Sequence, residues 1–351
     1  MNDTATTADD IQFSHRCWLG HVMLNRPKAF NALTHDMCVR FDRQMREWSQ
    51  NHELGVVAVT GAGGRAFCAG GDVRALWSAG PKGSLTRDFF WDEYRLNRRL
   101  FRFPKPYIAI ADGITMGGGV GISAPARVRV VSEKTMFAMP ETAIGLFPDV
   151  GASYYLSRCP GQTGMYLALT GARIHAADLV ALGLYTHHVP SAALPEFLTA
   201  IELEAPAQVL KRLATAPEGA SALAPDREAI DRCFAGDSVE AILEALKAEG
   251  SGWAGSVLST LSRMSPLSLR ITQRLLREAA TLEFEDCLRM EYRLVRRFMN
   301  GHDFYEGVRA VLVDKDNAPK WQPATLAEAT PGVVESYFAP LTSEDELHFE
   351  E

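Results

Sequence analysis

Two acids set in an apolar run, Glu141 and Asp149 in FAMPETAIGLFPDVGAS (137–153), are the residues of this 351-residue chain best placed to do chemistry. Buried carboxylates cost free energy unless they are paired, hydrogen-bonded or protonated, so two of them among Phe, Ile, Leu and Val suit acid–base or nucleophilic work. Read in isolation, they are equally one helix-capping acid and one turn acid. Two glycine-rich stretches, GAGGRAFCAGGD (61–72) and GITMGGGVGIS (113–123), favour chemistry. Backbone N–H groups stabilise a carbonyl or enolate oxygen only where no side chain stands in the way, and a helix N-terminus adds its dipole. Gly70-Gly71 and Gly117-Gly118-Gly119 both supply that, although each loop alone reads as a tight turn.

Other chemistries fit less well. Gly61-Ala62-Gly63-Gly64-Arg65-Ala66 behind VVAVT (56–60) matches G-x-G-x-x-A, the dinucleotide fingerprint. That unit needs a helix directly after the glycines and an acid about 20 residues on at the end of the next strand. Here the loop runs on to Asp72, and residues 81–88 do not read as a strand. No serine stands in G-x-S-x-G; Gly121-Ile122-Ser123-Ala124-Pro125 fails at its last position. Cys68 as a nucleophile has no preferred histidine partner and reads as a small buried thiol. The six cysteines form no C-x-x-C and the nine histidines no H-E-x-x-H, so neither a metal nor a disulfide framework is expected.

The elements that must position these groups alternate. Cys17–Leu24 reads as a strand running into Asn25-Arg26-Pro27; Thr34 caps a helix with Met37, Phe41, Met45 and Trp48 on one face; 56–60 is a buried strand. A charged amphipathic helix over 85–103 stops at Pro104, strand YIAIADG follows, and further strands fall at RVRVVS and 136–138. After Gly151 the pattern turns helical, with Asp303 and Glu306 at capping-box spacing. The expected division is a flexible start (1–10), an α/β core carrying the site (11–200) and a helical C-terminal region (201–351). At 47% hydrophobic and 23% charged the chain has globular composition, and a net charge of −7 argues against nonspecific nucleic-acid binding. No apolar run reaches about 18 residues, so no membrane span is expected. The start, MNDTATTADD, resembles neither a secretory signal nor an Arg-rich transit peptide, which suggests a cytoplasmic protein.

AFCAGGD (66–72), ADGITMGGGVGIS (111–123) and MPETAIGLFPDVG (139–151) resemble the signature segments of the crotonase, or enoyl-CoA hydratase/isomerase, superfamily; LNRPKAFNAL (24–33) is similar to its early coenzyme A loop. SPLSLRITQRLL (265–276), MEYRL (290–294) and NGHDFYEGVRAVLVDKDNAPKW (300–321) resemble the branch that hydrolyses short β-hydroxyacyl-CoA thioesters. The likeness spans about residues 13–340. It implies an α/β fold, a spiral of ββα repeats followed by helices, in which the thioester carbonyl meets the N–H groups of Gly71 and Gly118. It further implies that Glu141 attacks that carbonyl or activates water, that Asp149 is a second acid near the reacting centre, and that Glu93 binds substrate.

From its local context, between Asp92 and Arg95, Glu93 instead reads as solvated. Arg26 and Lys28 are candidates for the coenzyme A phosphates, or solvated loop charges. The hydratases' first glutamate, in the frame GGGxE, is replaced by Gly121. One carboxylate with an oxyanion hole suits acyl transfer, whereas adding water to an alkene needs one proton delivered and another removed. The expected function is hydrolysis of a short β-hydroxyacyl-CoA such as 3-hydroxyisobutyryl-CoA, with hydration or isomerisation of an enoyl-CoA as the alternative and noncatalytic acyl-CoA binding as a third. No cofactor is expected beyond the coenzyme A of the substrate, and homo-oligomerisation stays open.

Overall fold

The computed structural model describes residues 9–349, so most of the expected flexible start lies outside the described residues. Among the described residues nine strands form two sheets: β1 (Ile11–Arg16), β2 (Leu19–Leu24), β3 (Val56–Gly61), β4 (Ala66–Cys68), β5 (Tyr107–Ala111), β6 (Ile114–Met116), β7 (Val128–Val131), β8 (Met136–Ala138) and β9 (His187–His188). The large sheet runs β1-β2-β3-β5-β7-β9, the small one β4-β6-β8. Among the paired strands of the described residues only β1–β2 is antiparallel; isolated antiparallel bridges join Phe137 to Ile174 and His188 to Thr215. From β3 to β8 each winding of the chain places one strand in the large sheet and the next in the small one, which gives the expected ββα spiral.

The windings are joined by α1 (His35–Gln50), α2 (Val73–Ala79), α3 (Ser84–Phe101) and α4 (Gly118–Ser123), then followed by α5 (Ala152–Leu156), α6 (Thr163–Thr170) and α7 (Ala176–Ala181). Beyond β9 the described residues hold helices without strands: α8 (Leu194–Ala200), α9 (Pro206–Leu213), α10 (Arg227–Cys233), α11 (Val239–Glu249) and α12 (Gly252–Leu261). They end with α13 (Pro266–Ala279), α14 (Phe284–Phe298), α15 (Asp303–Val308) and α16 (Pro331–Phe338). No helix among the described residues is long and apolar enough to cross a membrane.

Val56–Val59 of the run VVAVT are apolar and buried because both faces of their sheet are covered. Val57 and Val59 face the main core, shared by α1, α3, α13 and α14, whereas Val56 and Ala58 face a smaller cluster with Phe197, Ile201 and Val209. Thr34 caps α1 as expected, its side chain accepting from the Met37 N–H at 3.2 Å. Three local expectations are corrected. The strand foreseen from Cys17 begins at Leu19, because Cys17 turns a hairpin at φ +50 and the polar IQFSHR gave no sign of β1. Residues 66–68, assigned to the glycine loop, are the buried strand β4.

The third correction concerns Asp303 and Glu306, which form no capping box. Asp303 is already helical, and its buried carboxylate accepts from Ser265 Oγ at 2.6 Å and the Gln322 N–H at 2.8 Å, while Glu306 pairs with Arg309. Tertiary donors have outcompeted the local ones. The consequence reaches Glu141. Ser265 N–H also bonds the Thr142 carbonyl at 3.2 Å, and Gly307 lies so close to Ile144 that a Cβ there would sit 2.3 Å from its backbone. The C-terminal helices thus press directly on the turn that carries the acid.

Candidate active site

Leu33 fixes the first glycine loop: its N–H bonds the Gly70 carbonyl and its carbonyl accepts from the Asp72 N–H, both at 2.8 Å. In such a bridge the intervening residue turns its own N–H to the opposite side. Gly70 takes φ +118, a conformation that side chains disfavour. Gly118 opens α4 after Gly117 at φ +48, so its N–H belongs to the unpaired first turn of that helix. Neither Gly71 N–H nor Gly118 N–H donates to any acceptor among the described residues. A Cβ built on Gly118 would lie 3.2 Å from the Gly71 nitrogen and 2.6 Å from Glu93 Oε1; one on Gly117 would lie 3.2 Å from Glu141 Oε1. Two loops nearly fifty residues apart therefore meet, with two carboxylates against them.

These groups line one cavity of about 380 Å³, together with Asp149, Val150 and an apolar wall that includes Leu76, Phe90, Ile144 and Leu312. Glu141 opens a 3-10 turn, Glu141–Ile144, after Pro140, and its Oε2 has no partner among the described residues. Burial, then the charge of Asp149, pushes its pKa well above the carboxylate range. Asp149 is raised to about 7 by burial, held back from going further by Tyr94, whose hydroxyl donates to Oδ2 at 2.7 Å. Glu93, only 2% exposed, is raised well above its ordinary value by burial and then by Asp149; its Oε1 is likewise unpartnered among the described residues. Three buried carboxyls in one cavity disfavour one another's charged forms, so they titrate as a coupled set.

Helix α3 explains Glu93. Phe89, Glu93 and Asn97, each four apart, lie on one face, where Phe89 covers Gly71, Glu93 abuts Gly118 and Asn97 Nδ2 donates to the Gly121 carbonyl at 3.0 Å. The solvated reading from neighbouring charges is corrected: Asp92 and Arg95 flank Glu93 in sequence, but the i, i+4 pattern sets it inward. Gly121 is closed as well, since a Cβ there would lie 2.6 Å from Val150 Cβ and 3.0 Å from Asn97 Nδ2.

Arg26 and Lys28 are not in the cavity lining. Arg26 is tied to Asp72 at 3.0 Å, Asp10 at 3.4 Å and the Ala32 carbonyl at 2.7 Å, while Lys28 is exposed. The cation in the lining is Arg173, exposed at the rim with no acidic partner among the described residues. Sequence reading missed it, as it missed Tyr94 and Asn97; only the inward spacing on α3 could have pointed to the latter two. A second cavity, of about 400 Å³, lies between α11, α13 and α16, but its Arg270, Arg274 and Arg277 are held by neighbouring acids and carbonyls. Cys68 is buried and its thiol is raised to about 12, mainly by burial, as suits an inert core residue. No cluster of three or more His, Cys, Asp or Glu among the described residues has the arrangement of a metal site.

The enoyl-CoA hydratase/isomerase family model matches residues 19–338. Over 337 residues the chain is 49% identical to the mitochondrial 3-hydroxyisobutyryl-CoA hydrolase of Xenopus laevis, covering 93% of this chain and 88% of that one. It is 43% identical to the human protein of the same name, covering 98% and 92%. Among solved structures it resembles a carnitinyl-CoA dehydratase from Mycobacterium thermoresistibile, at 44% identity and TM-score 0.93, covering 98% and 99%. An enoyl-CoA hydratase from Rhodobacter sphaeroides 2.4.1 follows at 38% and 0.90, covering 97% and 100%. The relatives named mitochondrial overturn the cytoplasmic location expected from the first residues. Location is set by an address that other machinery reads, and globular composition does not encode it.

Proposed function

The chain belongs to the enoyl-CoA hydratase/isomerase family, the crotonase superfamily, and we propose that within it the protein hydrolyses a short β-hydroxyacyl-CoA thioester, 3-hydroxyisobutyryl-CoA, to 3-hydroxyisobutyrate and coenzyme A, a step of valine breakdown. One observation carries this reading: the unpaired N–H groups of Gly71 and Gly118 and the Glu141 carboxyl, whose Oε2 has no partner among the described residues, line one cavity, while position 121 behind it has neither an acid nor room for one. In this reading the thioester oxygen sits between the two N–H groups. Each such donor is worth roughly 3–4 kcal/mol of transition-state stabilisation.

Ionised Glu141 then either attacks the carbonyl carbon or takes a proton from the attacking water. The C–S bond breaks and sulfur leaves with the electron pair; on the first route water then cleaves the Glu141–acyl anhydride, releasing the acid and restoring the carboxylate, and on either route the proton lost by that water ends on the thiolate to give free thiol. Burial makes Glu141 a stronger base and nucleophile than a solvated carboxylate. Burial and then Asp149 raise the Glu93 pKa, and in its protonated form it can donate to the substrate hydroxyl. Arg173 at the rim is the candidate cation for the coenzyme A arm.

A thiol-release assay on 3-hydroxyisobutyryl-CoA tests the proposal. Glu141→Gln and Asp149→Asn should each lose turnover with the fold intact; full activity in both ends it. Single-turnover hydrolysis in ¹⁸O-labelled water separates the two roles of Glu141, since label enters its carboxylate only through an anhydride. The titles of the solved relatives favour a second reading, water addition to or loss from an acyl-CoA. Loss of enoyl thioester absorbance without thiol release would establish it, and the closed position at Gly121 speaks against it.

A further inference from the structure

Helix α14 belongs to the C-terminal region, yet it reaches the turn that bears Asp149. Glu291 is completely buried there. Its Oε2 accepts from the Gly151 N–H at 2.7 Å and its Oε1 from the Ser153 N–H at 3.1 Å, with Ser153 Oγ donating to the same oxygen. These donors open α5, so the carboxylate fills the unpaired first turn of that short helix from another part of the chain. Their convergence depends on two successive left-handed residues, Val150 at φ +57 and Gly151 at φ +83. Glycine adopts this region freely, whereas a β-branched valine is an outlier that persists only when its surroundings over-determine it.

Phe284 of the same helix adds to the grip, its ring standing 2.5 Å from where a Cβ on Gly151 would be. Tyr292, next to Glu291, meets Tyr94 edge to face with centroids 6.1 Å apart, and Tyr94 holds the Asp149 carboxylate. Helix α14 thus holds the backbone just after Asp149 and packs against the tyrosine that holds its side chain. We infer that Glu291 is a positioning residue for the hydrolysis: by binding the amides of Gly151 and Ser153 it holds Val150 left-handed and so aims Asp149 into the cavity. This inference rests on the thioester hydrolase reading and goes beyond it.

The experiment is a double-mutant cycle on the full chain, with thiol release as readout. Glu291→Gln keeps the volume but presents an amide NH₂ to backbone donors. Turnover should fall about tenfold to a hundredfold with KM within about twofold. In an Asp149→Asn background the same change should cost almost nothing, because there is no longer an acid to aim. Equal losses in both backgrounds would make Glu291 a purely structural residue and overturn the inference, as would unchanged turnover in Glu291→Gln or full activity in Asp149→Asn. Should Glu291→Gln not fold, Ser153→Ala removes only the hydroxyl contact and runs through the same cycle. Wild-type thiol release and its loss in Glu141→Gln judge the hydrolase reading separately.

Discussion

The cavity has two walls built on different principles. On one side stand the glycine turns at 70–71 and 117–118, where the active atoms are backbone N–H groups and the geometry is set by neighbours within the ββα spiral: Leu33 bridging the first loop and the start of α4 fixing the second. On the other side lies the strip 141–153, where the active atoms are side-chain carboxylates. Its turns are held by distant residues, with Ser265 on Thr142, Gly307 against Ile144, and Glu291 on Gly151 and Ser153. Backbone donors come pre-aimed once the chain turns correctly. Buried carboxylates do not; each must be desolvated, kept apart in charge and aimed by something outside its own segment.

Breaking the two walls should therefore look different. The largest effect is expected from Glu141→Gln, which removes the reacting group itself: turnover should fall by about 10²–10⁴, read by thiol release, with circular dichroism unchanged. Gly118→Ala comes next. Its Cβ would crowd Glu93 Oε1 and the Gly71 nitrogen, displacing the substrate oxygen from its donors, and turnover should drop about 10²–10³. Unchanged kinetics in this variant would mean that the carbonyl does not sit between the glycines.

The acid wall should also show itself in pH dependence. Burial holds the Asp149 pKa at about 7 in the folded protein, against 3.8 as the ordinary value. Below about pH 4 the group is neutral whether folded or not. As pH rises towards 7 the unfolded chain releases the proton while the folded one keeps it, so this acid's contribution to stability is lost over that window. Asp149→Asn should accordingly gain stability over wild type between about pH 4 and 7 and hold that gain above, measured by urea unfolding at pH 5 and pH 8. A pH-independent difference would deny the desolvated environment.

Smaller changes sharpen the comparison. Tyr94→Phe removes one neutral donor to Asp149 and should cost about tenfold or less in turnover. Arg173→Ala at the rim should raise KM a few-fold and leave turnover nearly constant, as expected for a residue that binds the coenzyme A arm and takes no part in bond breaking.

Residue types and spacing offered both walls as candidates, and the resemblance to the crotonase superfamily chose Gly71, Gly118 and Glu141 from them. The glycine runs carry their own conformational logic, and an acid flanked by Pro, Phe and Ile is conspicuous without coordinates. Local spacing failed where a local pattern had a stronger partner elsewhere. Asp303 and Glu306 had capping-box spacing, yet Ser265, Gln322 and Arg309 claimed their carboxylates. Glu93 looked solvated because charges flank it in sequence, although its i, i+4 neighbours Phe89 and Asn97 are the ones that set its face. Arg26 seemed available for a phosphate until Asp72 and Asp10 were found against it.

The linear sequence therefore determined which groups were capable of chemistry, the side-chain-free amides and the acids in apolar runs, and its resemblance to the hydratases marked the missing acid at Gly121. Only the folded chain decided which of them share a volume, what holds each in place, and why no side chain fits at position 121. Propensity and periodicity act over a few residues, whereas desolvation, charge coupling and steric exclusion depend on atoms brought together from segments tens of residues to more than a hundred residues apart.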